Sequence, residues 1–102
     1  MEGVTRLTPS VTLFIYEFLG TAFLLLAIIA SVGNALGIAF MLFALLLVGG
    51  PISGGHYNPA VTIGVFCNEK NKKEIVGRFI LILLAQFTGA FFGVVMGLLC
   101  KT

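Results

Sequence analysis

The sequence predicts an all-α membrane protein in which three transmembrane helices and one re-entrant half-helix form a single unit. Three observations lead there. Apolar runs of helical length fall at about 11–31, 35–48 and 75–99, each closed off by polar, charged or turn-forming residues. Between the second and third runs lies the segment 49–66, GGPISGGHYNPAVTIGVF, which is apolar but broken by five glycines and two prolines. Finally, the 102 residues are 59% hydrophobic and only 10% charged, whereas a soluble domain carries about 25% charged residues. So few charges cannot cover a water-exposed surface, which excludes a soluble enzyme or a soluble nucleic-acid binder.

The charges are Arg6, Lys70, Lys72, Lys73, Arg78 and Lys101 against Glu2, Glu17, Glu69 and Glu74, a net +2. That is no nucleic-acid footprint, and lipid is the expected surrounding partner. Cys67 and Cys100 are isolated and read as small apolar side chains. No metal or cofactor is expected, because His56 has no second ligand nearby. Glu17 and His56 are the only ionisable groups expected at membrane depth, and they form no recognisable acid–base pair, so no enzyme is expected.

The first span, 11–31, follows a polar start containing Arg6, Thr8 and Pro9. Its apolar core is too long for a cleaved leader and has no small-residue cleavage pattern, so it is kept as a membrane helix. Only a few residues, about 31–34, separate it from the second span at 35–48, which forces an antiparallel hairpin. The third span, 75–99, begins after the charged stretch 68–74 and ends before Lys101. Along it Ala85, Gly89, Gly93 and Gly97 recur every four residues, a small-residue stripe that lets helix backbones approach closely in lipid. An internal contact is the simpler use of that face, and contact with another subunit the alternative.

In the broken segment the glycines and Pro51 predict non-helical chain from residue 49 onward, with Ser53, Gly54 and Gly55 running extended. Asn58 and Pro59 then predict a helix start. Asn is a favoured N-cap, and Pro at the first helical position gives up only an N–H that had no partner. The helix expected over 59–66 is about 12 Å long at 1.5 Å per residue, less than half a bilayer core. It must turn back. Non-helical backbone at that depth survives only against protein or water, so the carbonyls of Gly54, Gly55, His56 and Tyr57 are candidate acceptors along a wet path. The positive end of the half-helix would repel cations there, and an Asn58 side chain capping through its oxygen would turn its NH₂ outward as a donor. A capped turn with no further role is the plainer alternative for Asn58 and Pro59.

The run from Ile52 to Thr62, ISGGHYNPAVT, closely resembles the first signature of the aquaporin, or major intrinsic protein, family of water and small-solute channels. Glu17-Phe18-Leu19-Gly20-Thr21 is similar to that family's first helix, and Ala85-Gln86-Phe87-Thr88-Gly89-Ala90 to its third. The family's fold is built of two inverted repeats whose Asn-Pro-Ala tips meet at the midplane, and the resemblance covers one repeat. It implies that Asn58 donates to a permeating molecule, with Pro59 and Ala60 completing the tip. It implies too that Gly54, Gly55 and His56 supply acceptor carbonyls, and that Ile38 on the second span faces the selectivity filter. Water-selective members often carry an aromatic residue or His there, so Ile38 is a departure. Glu17 and Gln86 would accept hydrogen bonds from the re-entrant loop; an interfacial Glu17 reaching water is the alternative.

The expected function is a channel for water or a small neutral solute, of which this chain contributes half the pore. A second chain of opposite topology, or the rest of a longer parent, would complete it. The competing reading is a non-conducting accessory subunit built on the same scaffold. Five of the six basic residues fall on the side of the N-terminus and the 68–74 linker, so the N-terminus is expected in the cytoplasm and the C-terminus across the membrane.

Overall fold

The computed structural model describes residues 8–101, and these are helical with no strand among them. Four helices follow in order: α1 (Ser10–Ala30), α2 (Ala35–Ser53), α3 (Pro59–Asn68) and α4 (Lys72–Lys101). At 1.5 Å per residue they span about 31, 28, 15 and 45 Å. Three of them, α1, α2 and α4, are long and apolar enough to cross a membrane, and α3 is not.

The elements form a same-ended layout that can be read from contacts. Thr8 Oγ1, just before α1, donates to Ile52 O near the end of α2 at 2.6 Å, so the first two helices are antiparallel. Asn34 caps α2 across the tight turn, its Oδ1 accepting from Gly37 N at 2.9 Å. Arg78 Nη1, early in α4, donates to Ser10 Oγ at 3.4 Å, so α4 starts beside the start of α1 and runs parallel to it. Between them, the chain leaving α2 climbs inward and α3 returns. Thr62 meets Gln86 deep in α4, while Phe66 packs on Phe79, about two turns earlier, with ring centroids 5.2 Å apart. The charged turn after α3 therefore lies at the same end as the beginning of α1.

The α1–α4 pair forms the core. Ala85, Gly89, Gly93 and Gly97 are all buried, and the last three lie directly on α1. A Cβ on Gly89 would overlap the main chain of Phe18, one on Gly93 that of Ala22, and one on Gly97 the Ile29 side chain. In lipid there is no hydrophobic gain from joining two helices, so this close backbone approach and its dispersion contacts are what hold the pair. The opposite case is α2, whose buried residues are only Gly49 and Ser53, both near its end. Phe40, Phe43 and Leu47 all stand exposed.

Several helix boundaries differ from the sequence expectation. Helix α2 continues through Gly49, Gly50 and Pro51 to Ser53, where a break at 49 was expected. Pro51 falls in the last turn, so it removes a single ladder bond. The turn is then closed by Gly54, which adopts the left-handed conformation (φ 94°) and donates its N–H to Gly50 O at 3.0 Å. Likewise α3 runs on to Asn68, past the expected end at 66, because Cys67 and Asn68 offer nothing that stops a helix; Lys72 Nζ then caps the Glu69 carbonyl beyond it at 2.5 Å. The third span begins three residues earlier than expected, at Lys72. Glu2 and Arg6 lie outside the described residues.

Enlarging the seam should open the core. Gly93→Leu is expected to cost about 1–3 kcal/mol as an overpacking change, read as an earlier unfolding midpoint in detergent. The same substitution at Gly64, which has open space around it, should leave that midpoint nearly unchanged.

Candidate functional site

The site is built where the end of α2, the connecting loop and the start of α3 meet α1 and α4. Its local cause is a run of left-handed residues. Gly54, Gly55 and Tyr57 have φ of 94°, 66° and 52°. Such a run coils the chain so that successive N–H groups point the same way, a concavity suited to an anionic oxygen. Glu17 of α1 fills it. Its Oε1 accepts from Tyr57 N at 2.8 Å and from Gln86 Nε2 at 2.9 Å, and its Oε2 from Ser53 Oγ at 2.6 Å and from His56 N at 3.2 Å. The carboxylate is completely buried, and four donors from three other elements converge on it.

Thr62 on α3 extends the network. Its Oγ1 accepts from Gln86 Nε2 at 2.7 Å, donates to Asn58 O at 3.2 Å and is hydrogen-bonded to His56 Nδ1 at 3.0 Å. The His56 ring also faces Phe79, centroids 6.0 Å apart. Gln86 thus enters differently from the sequence expectation. It accepts nothing from the loop; instead its amide nitrogen donates to Glu17 and Thr62. The reason is electrostatic, because the oxygen-rich neighbours Glu17 and Thr62 draw the NH₂ of the amide toward them.

The side chain of Tyr57 was not singled out from the sequence, nor were Ser53 and Thr62 as hydrogen-bonding groups. Tyr57 is a non-glycine residue in the left-handed region, a conformation costing about 1–2 kcal/mol. The surroundings hold it there. Its hydroxyl donates to Leu45 O at 2.7 Å, and its ring occupies a slot that a Cβ on either Gly20 or Gly49 would close. The signal was present as two glycines on different helices, but only their juxtaposition gives it meaning.

At the tip, Asn58 is the N-cap of α3. Its Oδ1 accepts from Ala60 N at 2.8 Å, Pro59 occupies the first helical position, and the residue is exposed, leaving its NH₂ outward. No hydrogen bond among the described residues is accepted by the carbonyls of Gly54, Gly55, His56 or Tyr57. Ile38 is elsewhere. It lies in the first turn of α2 and is half-buried, eleven residues before Gly49, or about 16 Å along the axis from the level of Tyr57. No group of three or more His, Cys, Asp or Glu side chains that could hold a metal occurs among the described residues.

A half-helix capped by Asn-Pro, held by a buried glutamate from the first helix, decides the comparison with known proteins. The family model described as major intrinsic protein matches residues 4–101. The chain belongs to that family. Among curated relatives, it is similar to aquaporin PIP2-7 of Musa acuminata, with 37% identity over 90% of this chain and 38% of the relative. It is also similar to aquaporin-1 of Rhizophagus irregularis, with 34% identity over 76% of this chain and 33% of the relative. An aquaporin PIP-type protein of Atriplex canescens shares 45% identity over 64% of this chain and 23% of its own length. The chain therefore spans well under half the length of the curated relatives it matches. No solved structure matches it. As a major intrinsic protein with three apolar helices and a shorter one, the chain is an integral membrane protein with one repeat of the aquaporin-like fold.

Glu17→Gln tests the centre of the site. A glutamine keeps one acceptor oxygen but turns an NH₂ toward two of the four donors, leaving buried N–H groups opposite each other at about 1–3 kcal/mol per lost partner. The backbone amides of His56 and Tyr57 should then exchange with deuterium at least about tenfold faster, while amides in the middle of α4 keep their protection.

Proposed function

We propose that the chain is one repeat of a channel that passes water or small neutral solutes, and that it contributes half of the pore. The observation that carries this reading is the orientation of Asn58. With its oxygen occupied by Ala60 N, the side chain presents only donors, beside a loop whose carbonyls are unused by the protein. A polar neutral molecule at that point meets a donor and, one step along, a row of acceptors. It exchanges its hydrogen bonds with water for equivalent ones. A cation meets the positive end of α3 and the outward N–H₂ of Asn58, both of which repel it.

In this reading Gly54, Gly55 and His56 supply the acceptor carbonyls, Pro59 and Ala60 shape the tip, and Glu17 and Gln86 act only as supports. Ile38, further out along α2, would line the narrow entrance, and its apolar side chain would favour passage of solutes less polar than water. The missing wall would come from a repeat of opposite topology, in a second chain or in the remainder of a longer one. Lys70, Lys72, Lys73 and Arg78 lie at the end where α1 begins, and Lys101 at the other. By the positive-inside rule, the N-terminus belongs in the cytoplasm.

Asn58→Asp separates the donor from the cap. The aspartate keeps an oxygen for Ala60 N and suits a helix N-terminus, so α3 should persist. The donor is lost and a negative charge replaces it. In proteoliposomes holding the chain with an aquaporin repeat of opposite topology, osmotic swelling measured by stopped-flow light scattering should fall to the level of empty vesicles. Equal swelling in parent and variant would sink the pore reading and leave a non-conducting accessory subunit. As a test of orientation, a reporter fused after Thr102 should be reached only by probes applied to the non-cytoplasmic face; labelling from both faces would refute a single topology.

A further inference from the structure

Two features outside the site meet at the turn between α3 and α4. The first is charge. Lys70, Lys72 and Lys73 are exposed within four residues, at the end of the molecule where α1 begins. Lys72 is tethered, its Nζ donating to Glu69 O, so it stays over the end of α3. Glu74 lines the same shallow recess but falls in the first turn of α4, where the positive helix end offsets its carboxylate. Glu69 is almost wholly buried. The surface presented by the turn is therefore dominated by ammonium groups. The second feature is an apolar cleft of about 100 Å³ running between α3 and α4, lined by Ile63, Phe66, Val76, Phe79, Ile80 and Leu83. Val76 is one turn beyond Lys72 and Lys73, so the α4 wall of the cleft begins one turn from these two lysines.

We infer that this is a docking site for an anionic glycerophospholipid, with its phosphate-bearing headgroup on Lys70, Lys72 and Lys73 and an acyl chain in the α3–α4 cleft. Each half of the feature is commonplace by itself: lysines beside a membrane helix attract anionic lipid weakly, and a cleft between helices takes any acyl chain. Their alignment is what selects one occupant, since a free anion gains nothing from the cleft and a zwitterionic lipid gains little from the lysines. The lipid would bridge the half-helix to α4 on the side away from Asn58. Exposed Ile63 and Ile80 are then covered by hydrocarbon, as their chemistry requires.

The test is native mass spectrometry of the full chain released from mixed nanodiscs of phosphatidylglycerol and phosphatidylcholine with identical acyl chains. The parent should retain the anionic lipid in preference. Lys70→Gln with Lys73→Gln should reduce that preference by about 30-fold at low salt, from two lysines each acting near the surface, with helicity by circular dichroism unchanged. Lys72 is left in place because it caps α3. Ile80→Trp, which fills the cleft, should weaken retention of both lipids. Equal retention of the two lipids by the parent, or an undiminished preference in the double lysine variant, overturns the inference. So does displacement of the lipid by millimolar inorganic phosphate, which would make this a simple anion site. None of these readouts depends on solute passage.

Discussion

Everything at the centre of this molecule depends on one carboxylate. Glu17 is the only acid inside the three long apolar runs, and burial of an isolated carboxylate costs several kcal/mol after all relaxation. It persists because four donors reach it, from the end of α2, from two successive loop amides and from α4. The dependence is mutual. The loop cannot hydrogen-bond to itself as a helix does, and at membrane depth its N–H groups must find a fixed acceptor. A neutral acceptor would satisfy fewer of them and more weakly, since hydrogen bonds to a charged group contribute about 1.5–3 kcal/mol against about 1 for neutral pairs. The charge is what lets irregular backbone exist there at all.

Around that electrostatic centre, the rest of the fold is a matter of clearance. Gly89 and Gly93 allow the main chains of α4 and α1 to touch, which brings Gln86 within reach of Glu17. Gly20 and Gly49 clear a slot from the other side, and Tyr57 fills it. The ring keeps α1 and α2 from closing completely, while its hydroxyl ties the loop to Leu45. Tyr57 also carries the backbone strain that the tight loop requires, so the residue immediately before Asn58 is fixed by packing, hydrogen bond and dihedral at once. Direction at the tip is inherited from that rigidity.

Much of this was legible in the sequence because it rests on local chemistry. Asn58-Pro59 inside an apolar, glycine-rich insert reads as a helix start, and three apolar runs with short or charged connections leave few alternative arrangements. What escaped was decided by contacts between distant residues. Gly49-Gly50-Pro51 reads as a break, yet the helix ignores it, because a proline in the last turn costs one bond and Gly54 and Thr8 close the end. Gln86 is polar in a span, which marks it as a supporting residue. Which of its amide atoms faces inward is set by Glu17 and Thr62, which lie 69 and 24 residues away along the chain, and no local pattern encodes that. Tyr57 could not be found locally either, since a tyrosine in the left-handed region is unfavourable until two glycines on other helices make a place for its ring.

The two sides of α3 require different surroundings, and the requirement follows from the residues themselves. At the tip Asn58 is exposed, and in the loop before it the carbonyls of Gly54, Gly55, His56 and Tyr57 accept no hydrogen bond among the described residues. Facing hydrocarbon, each such group would forfeit its hydrogen bonds to water, a cost of roughly 2–7 kcal/mol per group depending on the reference state. Water or polar protein on this side would supply those partners. On the α4 side, Ile63, Phe66, Val76 and Ile80 offer nothing to water and are suited to an acyl chain. Thr62, the one polar residue among the cleft's lining, turns its hydroxyl inward to Gln86 and Asn58 O. In the proposed reading the half-helix, about 15 Å long, separates a wet surface from an apolar one. A substitution that made the lipid-facing side polar would remove that distinction without touching Asn58.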